Sequence, residues 1–208
     1  MNQSRLDYLK KEIEACHING EKVLEVGSRN INGSIRPLIE SYNPASYLGV
    51  DIEPGEGVDE IVSVYKLWET YSNGSFDVVV CCETLEHLED WKVALVNMWA
   101  VLKPLGLFIL SVPDETTKYH GYPNDFWRFT KEDFKIIFGA TMGVSEHYRN
   151  GVFFIGHKTG PVITDLEIKS ILTGKRMGYH KKWHIKYLSI YRQFMKQPMK
   201  TIIKLLKK

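Results

Sequence analysis

Residues 23–33 read VLEVGSRNING and residues 47–53 read YLGVDIE. Both are short apolar runs of the kind found in buried strands; the first ends in a glycine loop and the second in an acid. In a doubly wound sheet, such a loop lets a ligand approach the backbone closely, and the acid accepts hydrogen bonds from a ribose diol. The pair therefore predicts a nucleoside-binding α/β sheet, with Gly27 in the loop and Asp51 at the ribose.

The glycine spacing argues against a dinucleotide site. A dinucleotide-binding loop is expected to read G-x-G-x-x-G, which brings a helix N-terminus against a pyrophosphate. The loop here reads GSRNING, which is wider and more polar, and no G-x-x-x-x-G-K-[ST] motif occurs in the chain. An oxidoreductase or epimerase that binds a nicotinamide cofactor is therefore the weaker alternative.

Periodicity along the rest of the chain predicts five parallel strands followed by an antiparallel C-terminal hairpin, in a doubly wound α/β arrangement. Asn150-Gly151 marks the hairpin turn, and Pro54 and Gly57 leave too little room for a crossover helix after the second strand. Predicted strands cover residues 22–27, 46–51, 60–63, 76–82, 106–112, 142–148 and 152–157. Predicted helices cover residues 4–16, 33–41, 90–102 and 130–138, the last of them capped by Thr130.

Four motifs occur in the order VLEVGSRNING, YLGVDIEPGEGVD, SFDVVVCCETLEHLED and VLKPLGLFILSVP. Together they resemble class I S-adenosylmethionine-dependent methyltransferases of the broad type 11 group, in register from Val23 to Pro113 and more weakly to Phe138. The resemblance implies a Rossmann-like doubly wound α/β sheet of about seven strands, mostly parallel with an antiparallel C-terminal hairpin. It also implies that S-adenosyl-L-methionine is the cofactor and that its methyl group is transferred by direct in-line displacement. A noncatalytic adaptor that keeps this fold is the alternative from another class.

The resemblance also assigns cofactor contacts. It places Glu25 near the methionine portion, Asp51 at the ribose, and the carbonyls at the end of the fourth strand at the ammonium group. The adenine contact falls on Ser63, where family members often carry an aspartate, so the chain departs from the family pattern there. The implied cofactor-binding residues are Glu25, Gly27, Ser28, Asn30, Asp51, Ile52, Ser63, Cys82 and Glu83.

His87 is the predicted catalytic base, because the pKa of histidine lies near working pH and the residue follows the fourth strand into the cleft. The alternative is that its ring only shapes the pocket. Glu83, Glu86 and His87 also match an E-x-x-E-H pattern that resembles the metal-assisted site of some quinone-type O-methyltransferases. Because LEH is widespread among family members without a metal, we expect no metal here.

Residues 119–130 read YHGYPNDFWRFT and follow the fifth strand, where the family places its substrate. Rigid aromatic side chains mixed with His120, Asp125 and Arg128 suit a sugar, a glycan or another small polar acceptor. The segment resembles that of enzymes found with surface polysaccharide synthesis, which favours a glycan. The alternative is that the aromatic side chains belong to the core and that Asp125 pairs with Arg128 structurally.

Charge divides the chain into two predicted domains: a methyltransferase domain over residues 1–160 and a basic, partly amphipathic helical extension over residues 161–208. Residues 1–167 contain 15 Lys and Arg and all 25 Asp and Glu, whereas residues 168–208 contain 12 Lys and Arg and no acid. Cations interleaved with aromatic residues favour contact with an anionic membrane surface. Docking on the acidic body is the main alternative, and nucleic acid is the least expected partner.

Cellular location is inferred from three further features. The three cysteines show no metal or redox spacing, and the N-terminus lacks the apolar core of a signal peptide. No run of about 18 apolar residues occurs, which is the length a membrane-spanning helix needs. These features favour a cytoplasmic protein, peripheral at the inner face of the membrane where the basic extension makes contact.

Overall fold

The computed structural model describes residues 3–120 and 124–162, which contain one seven-stranded sheet with helices on both faces. The strands are β1 Lys22–Val26, β2 Ser46–Asp51, β3 Glu60–Ile61, β4 Phe76–Cys82, β5 Leu102–Pro113, β6 Met142–Tyr148 and β7 Gly151–His157. The helices are α1 Gln3–Ile13, α2 Arg36–Glu40, α3 Leu67–Thr70, α4 Trp91–Val101 and α5 Lys131–Ile137. Single 3₁₀ turns cover Val64–Lys66 and Leu85–His87.

The strands lie in the order β3-β2-β1-β4-β5-β7-β6. The first five run parallel, and β7 pairs antiparallel with both β5 and β6. The strand order reverses between β1 and β4, and ligand sites of open α/β sheets form at the carboxyl ends of the strands beside such a reversal. The predicted Rossmann-like sheet with its C-terminal hairpin is confirmed, and its cleft lies beyond Val26 and Cys82.

The central strands are apolar at nearly every position because helices cover both faces of the sheet. On one face, Trp91 and Leu95 of α4 share an apolar cluster with Val79. On the other face, Leu9 of α1 packs in a second cluster with Val78. Successive residues of β4 therefore alternate between two cores, which explains the unbroken apolar run that predicts this strand.

Several predicted boundaries differ from the structure by two or more residues. Helix α1 ends at Ile13 rather than at residue 16, and β3 ends at Ile61 rather than at residue 63. Helix α2 begins at Arg36 rather than at residue 33, because Gly33 has a φ of 103° and cannot be helical. Strand β5 begins at Leu102 rather than at residue 106, because Leu102 pairs with Phe76 before the ladder shifts at an irregularity. The differences at α2 and β5 arise from backbone conformation and pairing register, which apolar periodicity does not report.

Local signals at other boundaries are confirmed. Thr130 caps α5 in a full capping box with Asp133, and no helix occurs within the described residues 52–59. The predicted helical extension begins at residue 161, and all but its first two residues lie outside the described chain. Among the helices that the structure does describe, none has the length and apolar character that crossing a membrane requires.

Candidate active site

The glycine loop after β1 touches the loop after β4. Gly27 has a φ of 75°, and a β-carbon built on it would lie 2.1 Å from Thr84 Oγ1. Any other residue at position 27 would both strain the backbone and collide with Thr84. The sequence therefore keeps a glycine where the carboxyl ends of β1 and β4 meet, and the predicted cofactor loop lies at the cleft.

Asp51 ends β2 at the same edge of the sheet. One carboxylate oxygen accepts a hydrogen bond from the Arg29 amide at 3.3 Å, and the other accepts one from the Glu53 amide at 3.1 Å. Each oxygen of a carboxylate has about two acceptor positions, so both can still accept a hydroxyl. The side chain of Ile52, 63% exposed, lies beside Asp51 and offers an apolar surface to a planar ring.

The loop between β2 and β3 is hydrogen-bonded to the glycine loop that follows β1. The Asn30 amide donates to the Glu56 carbonyl at 2.8 Å, and the Asn30 side chain donates to the Glu56 carboxylate at 3.0 Å. Ser28 is buried, and its hydroxyl has no hydrogen-bond partner in the described part of the chain. The two predicted loop residues thus shape and stiffen the cleft wall.

Glu25 is buried within β1. Burial raises its pKa to about 7, although the Tyr47 hydroxyl, which donates to it at 2.7 Å, opposes that rise. At neutral pH the carboxyl is therefore close to its midpoint. The side chain accepts a hydrogen bond from Tyr47 of the neighbouring strand β2. Its contact with the methionine portion of the cofactor stays a prediction.

Ser63 and Cys82 have partners of their own. The Ser63 hydroxyl accepts from the Tyr65 amide at 3.3 Å and thereby caps a 3₁₀ turn. The Cys82 carbonyl accepts from the Thr84 hydroxyl at 3.1 Å, and burial raises the pKa of the Cys82 thiol far above its usual range. The adenine role of Ser63 and the ammonium role of the Cys82 carbonyl stay predictions.

Glu83 is the strained residue of the cleft, with a φ of 53°. Its amide donates to the Ser111 carbonyl at 2.9 Å, and the Ser111 hydroxyl donates to its carboxylate at 2.9 Å. The other carboxylate oxygen pairs with Arg5 of α1. Sequence reasoning missed Arg5, because nothing local to an N-terminal helix links residue 5 to residue 83.

His87 ends the 3₁₀ turn after β4 and faces the acceptor segment. Its Nδ1 contacts the Asn124 carbonyl, and its Nε2 lies 3.7 Å from a carboxylate oxygen of Glu86. The His120 ring stands edge-on to it, with ring centroids 5.4 Å apart. The structure therefore brings together the predicted base and one predicted acceptor residue.

Glu86 is fully buried, and its carboxyl oxygens have no hydrogen-bond partner among the described residues. Burial, reinforced by Glu83, raises its pKa well above the usual range. One ligand atom each of Glu86, His87 and His120 lies within 4.8 Å of the other two, so a divalent cation could use this set. The set differs from the sequence pattern, because Glu83 is engaged by Arg5 and Ser111.

Arg128 holds the conformation of the acceptor segment through several hydrogen bonds. It contacts both carboxylate oxygens of Asp125, at 2.5 and 2.7 Å, and donates to the carbonyls of Thr117, Lys118 and Trp127. Asp125 and Arg128 are both buried. The structural pairing that the sequence left open is thus observed, and of the three predicted acceptor residues only His120 is exposed.

Comparison with protein families and curated proteins gives a consistent result. A family model described as a methyltransferase domain matches residues 2–140, two thirds of the chain. The chain is 30% identical over 135 residues to the ubiquinone biosynthesis O-methyltransferase of Haemophilus ducreyi, covering 57% of this chain and 55% of that protein. It is 28% identical over 133 residues to the mitochondrial enzyme of that name from Schizosaccharomyces pombe, covering 56% and 47%. The chain spans about half the length of these curated relatives.

Solved structures show the same fold. The Burkholderia thailandensis 1,6-didemethyltoxoflavin-N1-methyltransferase, with bound 1,6-didemethyltoxoflavin and S-adenosylhomocysteine, superposes with a TM-score of 0.58 at 15% identity. That match covers 76% of this chain and 80% of the other. Magnesium protoporphyrin IX methyltransferase from Synechocystis PCC 6803, with bound S-adenosylmethionine, gives 0.52 at 15% identity, covering 75% and 79%. At these identities the likeness concerns the fold.

Proposed function

The chain belongs to the methyltransferase-domain family, and from this membership we propose that it transfers the methyl group of S-adenosylmethionine to a hydroxyl oxygen of a small polar ring. S-adenosylmethionine, the cofactor of this family, supplies a methyl group on a cationic sulfur. The protein then has to bind the cofactor, align the acceptor oxygen and receive its proton.

The observation that carries the proposal is the Asp51 carboxylate at the tip of β2, beside the Gly27 loop. Asp51 is oriented by two backbone amides and retains acceptor capacity for a ribose diol. Ile52 offers its apolar surface to the adenine, and Ser63 is the proposed acceptor for the adenine amino group. The remaining proposed contacts surround the methionine portion and come from Glu25, Ser28, Asn30, Cys82 and Glu83.

We propose His87 as the group that receives the acceptor proton. The Asn124 carbonyl fixes one ring nitrogen, so the ring orientation is set before the acceptor binds. His120, exposed on the facing segment, is proposed to hydrogen-bond the acceptor. Asp125 and Arg128, in the same segment, hold its conformation through their buried ion pair.

The proposed acceptor is a sugar or glycan intermediate, which rests on the resemblance of the acceptor segment to enzymes of surface polysaccharide synthesis. A phenolic ring is the second candidate, favoured by relatives named ubiquinone biosynthesis O-methyltransferase. Both are rings that carry a hydroxyl group. Both fit the exposed ring of Tyr119 and the half-buried ring of Trp127, since aromatic faces stack on ring-shaped ligands.

The test is transfer of a labelled methyl group from S-adenosylmethionine to UDP-glucose and to 3,4-dihydroxybenzoate. We expect methylation of one of them by the wild-type chain and at least tenfold less by Asp51→Ala. Binding of S-adenosylhomocysteine without transfer to either compound would favour the noncatalytic adaptor. Thermal protection by NAD but not by S-adenosylhomocysteine would instead support the oxidoreductase.

We also propose that the basic extension brings the enzyme to an anionic membrane surface. Its 12 Lys and Arg over residues 168–208 are interleaved with aromatic and aliphatic residues. Such segments lie in the membrane interface without spanning it. A lipid-linked glycan acceptor would give this location a purpose.

A further inference from the structure

A second histidine, on the outermost strand β6, is held by a buried carboxylate at the carboxyl end of β5. His147 Nε2 of β6 lies 2.5 Å from one oxygen of Asp114, the residue that follows β5. The Asp114 side chain is fully buried, whereas that of His147 is 46% exposed. Neither residue has a part in the reaction as proposed so far.

Asp114 is fixed independently of His147. Its other oxygen accepts from the Thr116 amide at 2.9 Å, the Thr116 hydroxyl at 2.7 Å and the Thr117 hydroxyl at 3.3 Å. Burial alone would raise its pKa, but hydrogen bonds from Thr116 and His147 outweigh burial and hold the pKa below its usual value. Asp114 is therefore a carboxylate at neutral pH, and the proton between the two residues belongs to His147 Nε2.

This proton placement leaves the other nitrogen of His147 as a base. With Nε2 donating to Asp114, Nδ1 carries the lone pair, and it has no hydrogen-bond partner among residues 3–120 and 124–162. The arrangement resembles the aspartate–histidine half of a hydrolase triad, where the carboxylate sets the tautomer and stabilises the imidazolium. His87 differs, because one of its nitrogens contacts the Asn124 carbonyl and the other lies beside Glu86.

Hydrogen bonds connect this pair to the cleft. The Asp114 amide donates to the Asn150 carbonyl at 3.1 Å, and that carbonyl also accepts from Arg5 at 2.5 Å. Arg5 in turn pairs with Glu83 in the loop after β4. The acceptor segment, residues 119–130, follows Asp114 by five residues. Thr117 hydrogen-bonds Asp114 and accepts from Arg128, which contacts His120 within the segment.

We infer that His147, oriented by Asp114, is the base of the acceptor site in place of His87, because each transfer releases only one proton. The inference rests on the proposed function, because only an acceptor that loses a proton needs it. The acceptor oxygen forms a bond to the methyl carbon as the carbon–sulfur bond breaks and its electron pair stays on sulfur. The one hydroxyl proton passes to His147 Nδ1 instead of to His87, which gives an imidazolium paired with Asp114.

The experiment measures kcat and KM for methyl transfer to 3,4-dihydroxybenzoate or UDP-glucose, whichever the wild type methylates. His147→Gln keeps a donor to Asp114 but has no base, and we expect kcat to fall about 100-fold. Affinity for S-adenosylhomocysteine should stay within twofold. Asp114→Asn should lower kcat without raising KM, because it reverses the hydrogen bond and imposes the wrong tautomer. His157→Gln is the matched control, since His157 contacts the Leu105 carbonyl at the opposite edge of the sheet.

Chemical rescue separates a base from a structural contact. His147→Ala leaves a space for free imidazole, which should restore part of its lost activity. A His147→Gln variant with a kcat within threefold of wild type would overturn the inference while leaving the proposed function intact, and so would a His147→Ala variant that imidazole does not rescue. Failure of the wild type to methylate either compound would overturn the proposed function and the inference with it.

Discussion

The buried carboxyl of Glu25, in strand β1, makes the stability of the folded chain depend on pH. Its carboxyl is 4% exposed, and burial raises its pKa from 4.5 to about 7. Between these values the folded chain binds a proton that the unfolded chain does not bind. The contribution of Glu25 to stability is therefore greatest below pH 4.5, falls as pH rises through this window and levels off above about pH 7. The full loss is on the order of 3 kcal/mol, at about 1.4 kcal/mol for each pH unit.

Glu25→Gln should remove this loss, because a neutral amide can still accept the Tyr47 hydroxyl and never ionises. We expect the variant to match the wild type near pH 5 and to exceed its unfolding free energy at pH 8 by about 1–3 kcal/mol. Urea unfolding at both pH values measures the difference. Glu53→Gln is the control, since its side chain is 61% exposed, and equal behaviour of the two variants would contradict the account.

The role of a single residue can be predicted from sequence where the local structure requires one residue type. Gly27 is identifiable because only glycine tolerates both its positive φ and the contact with Thr84. Asp51 is identifiable because an acid at the end of an apolar strand requires partners. Arg5 and His147 are not identifiable, because their partners lie 78 and 33 residues away in the chain.

At the scale of elements, the acceptor segment is stabilised by a buried ion pair rather than by regular structure. The side chains of Asp125 and Arg128 are 0% and 2% exposed, and Arg128 also satisfies three backbone carbonyls. A buried pair that loses one partner leaves an uncompensated charge, which costs more than an exposed pair does. The shape of this segment therefore depends on one guanidinium.

Arg128→Ala should lower the unfolding free energy by about 3–5 kcal/mol, because Asp125 would be buried without its partner. Arg29→Ala is the matched control: it breaks the exposed pair with Glu53, which should cost less than about 1 kcal/mol. Denaturant unfolding of both variants checks the contrast. Equal losses would show that burial does not decide the strength of these pairs here.

Elements with local signals are predictable from the sequence, and elements set by pairing are not. The apolar run of β4, the capping box of α5 and the Asn-Gly turn before β7 each mark their element directly. The start of β5 is set by pairing of Leu102 with Phe76. Two alternatives for the acceptor segment stayed open. The sequence pattern is the same whether Arg128 binds the acceptor or pairs with Asp125 to stabilise the segment.

At the scale of the whole molecule, the charge division favours a surface-bound enzyme. We propose that the extension binds anionic lipid, with each Lys or Arg near the surface contributing about 1 kcal/mol at low salt. Vesicles with phosphatidylglycerol should sediment the full chain and release it as salt rises. A chain truncated after Gly174 should stay in the supernatant, and Lys204, Lys207 and Lys208 changed together to Gln should weaken sedimentation without shortening the chain.

Two results of the sedimentation experiment would contradict the membrane proposal. Equal sedimentation of the full and truncated chains would overturn the membrane proposal. Sedimentation only with added duplex DNA would instead favour nucleic acid. The truncated chain must retain its melting temperature for the comparison to be valid.

The central claim is that the cleft beyond β1 and β4 binds S-adenosylmethionine through Asp51, and calorimetric titration with S-adenosylhomocysteine tests it most directly. We expect binding of roughly micromolar strength, about −8 kcal/mol. Asp51→Ala should weaken binding at least tenfold, because hydrogen bonds to a charged group contribute about 1.5–3 kcal/mol each. Glu53→Ala, which alters the neighbouring exposed carboxylate, should bind within threefold of wild type. No binding to the wild type, or equal binding by the Asp51 variant, would contradict the account.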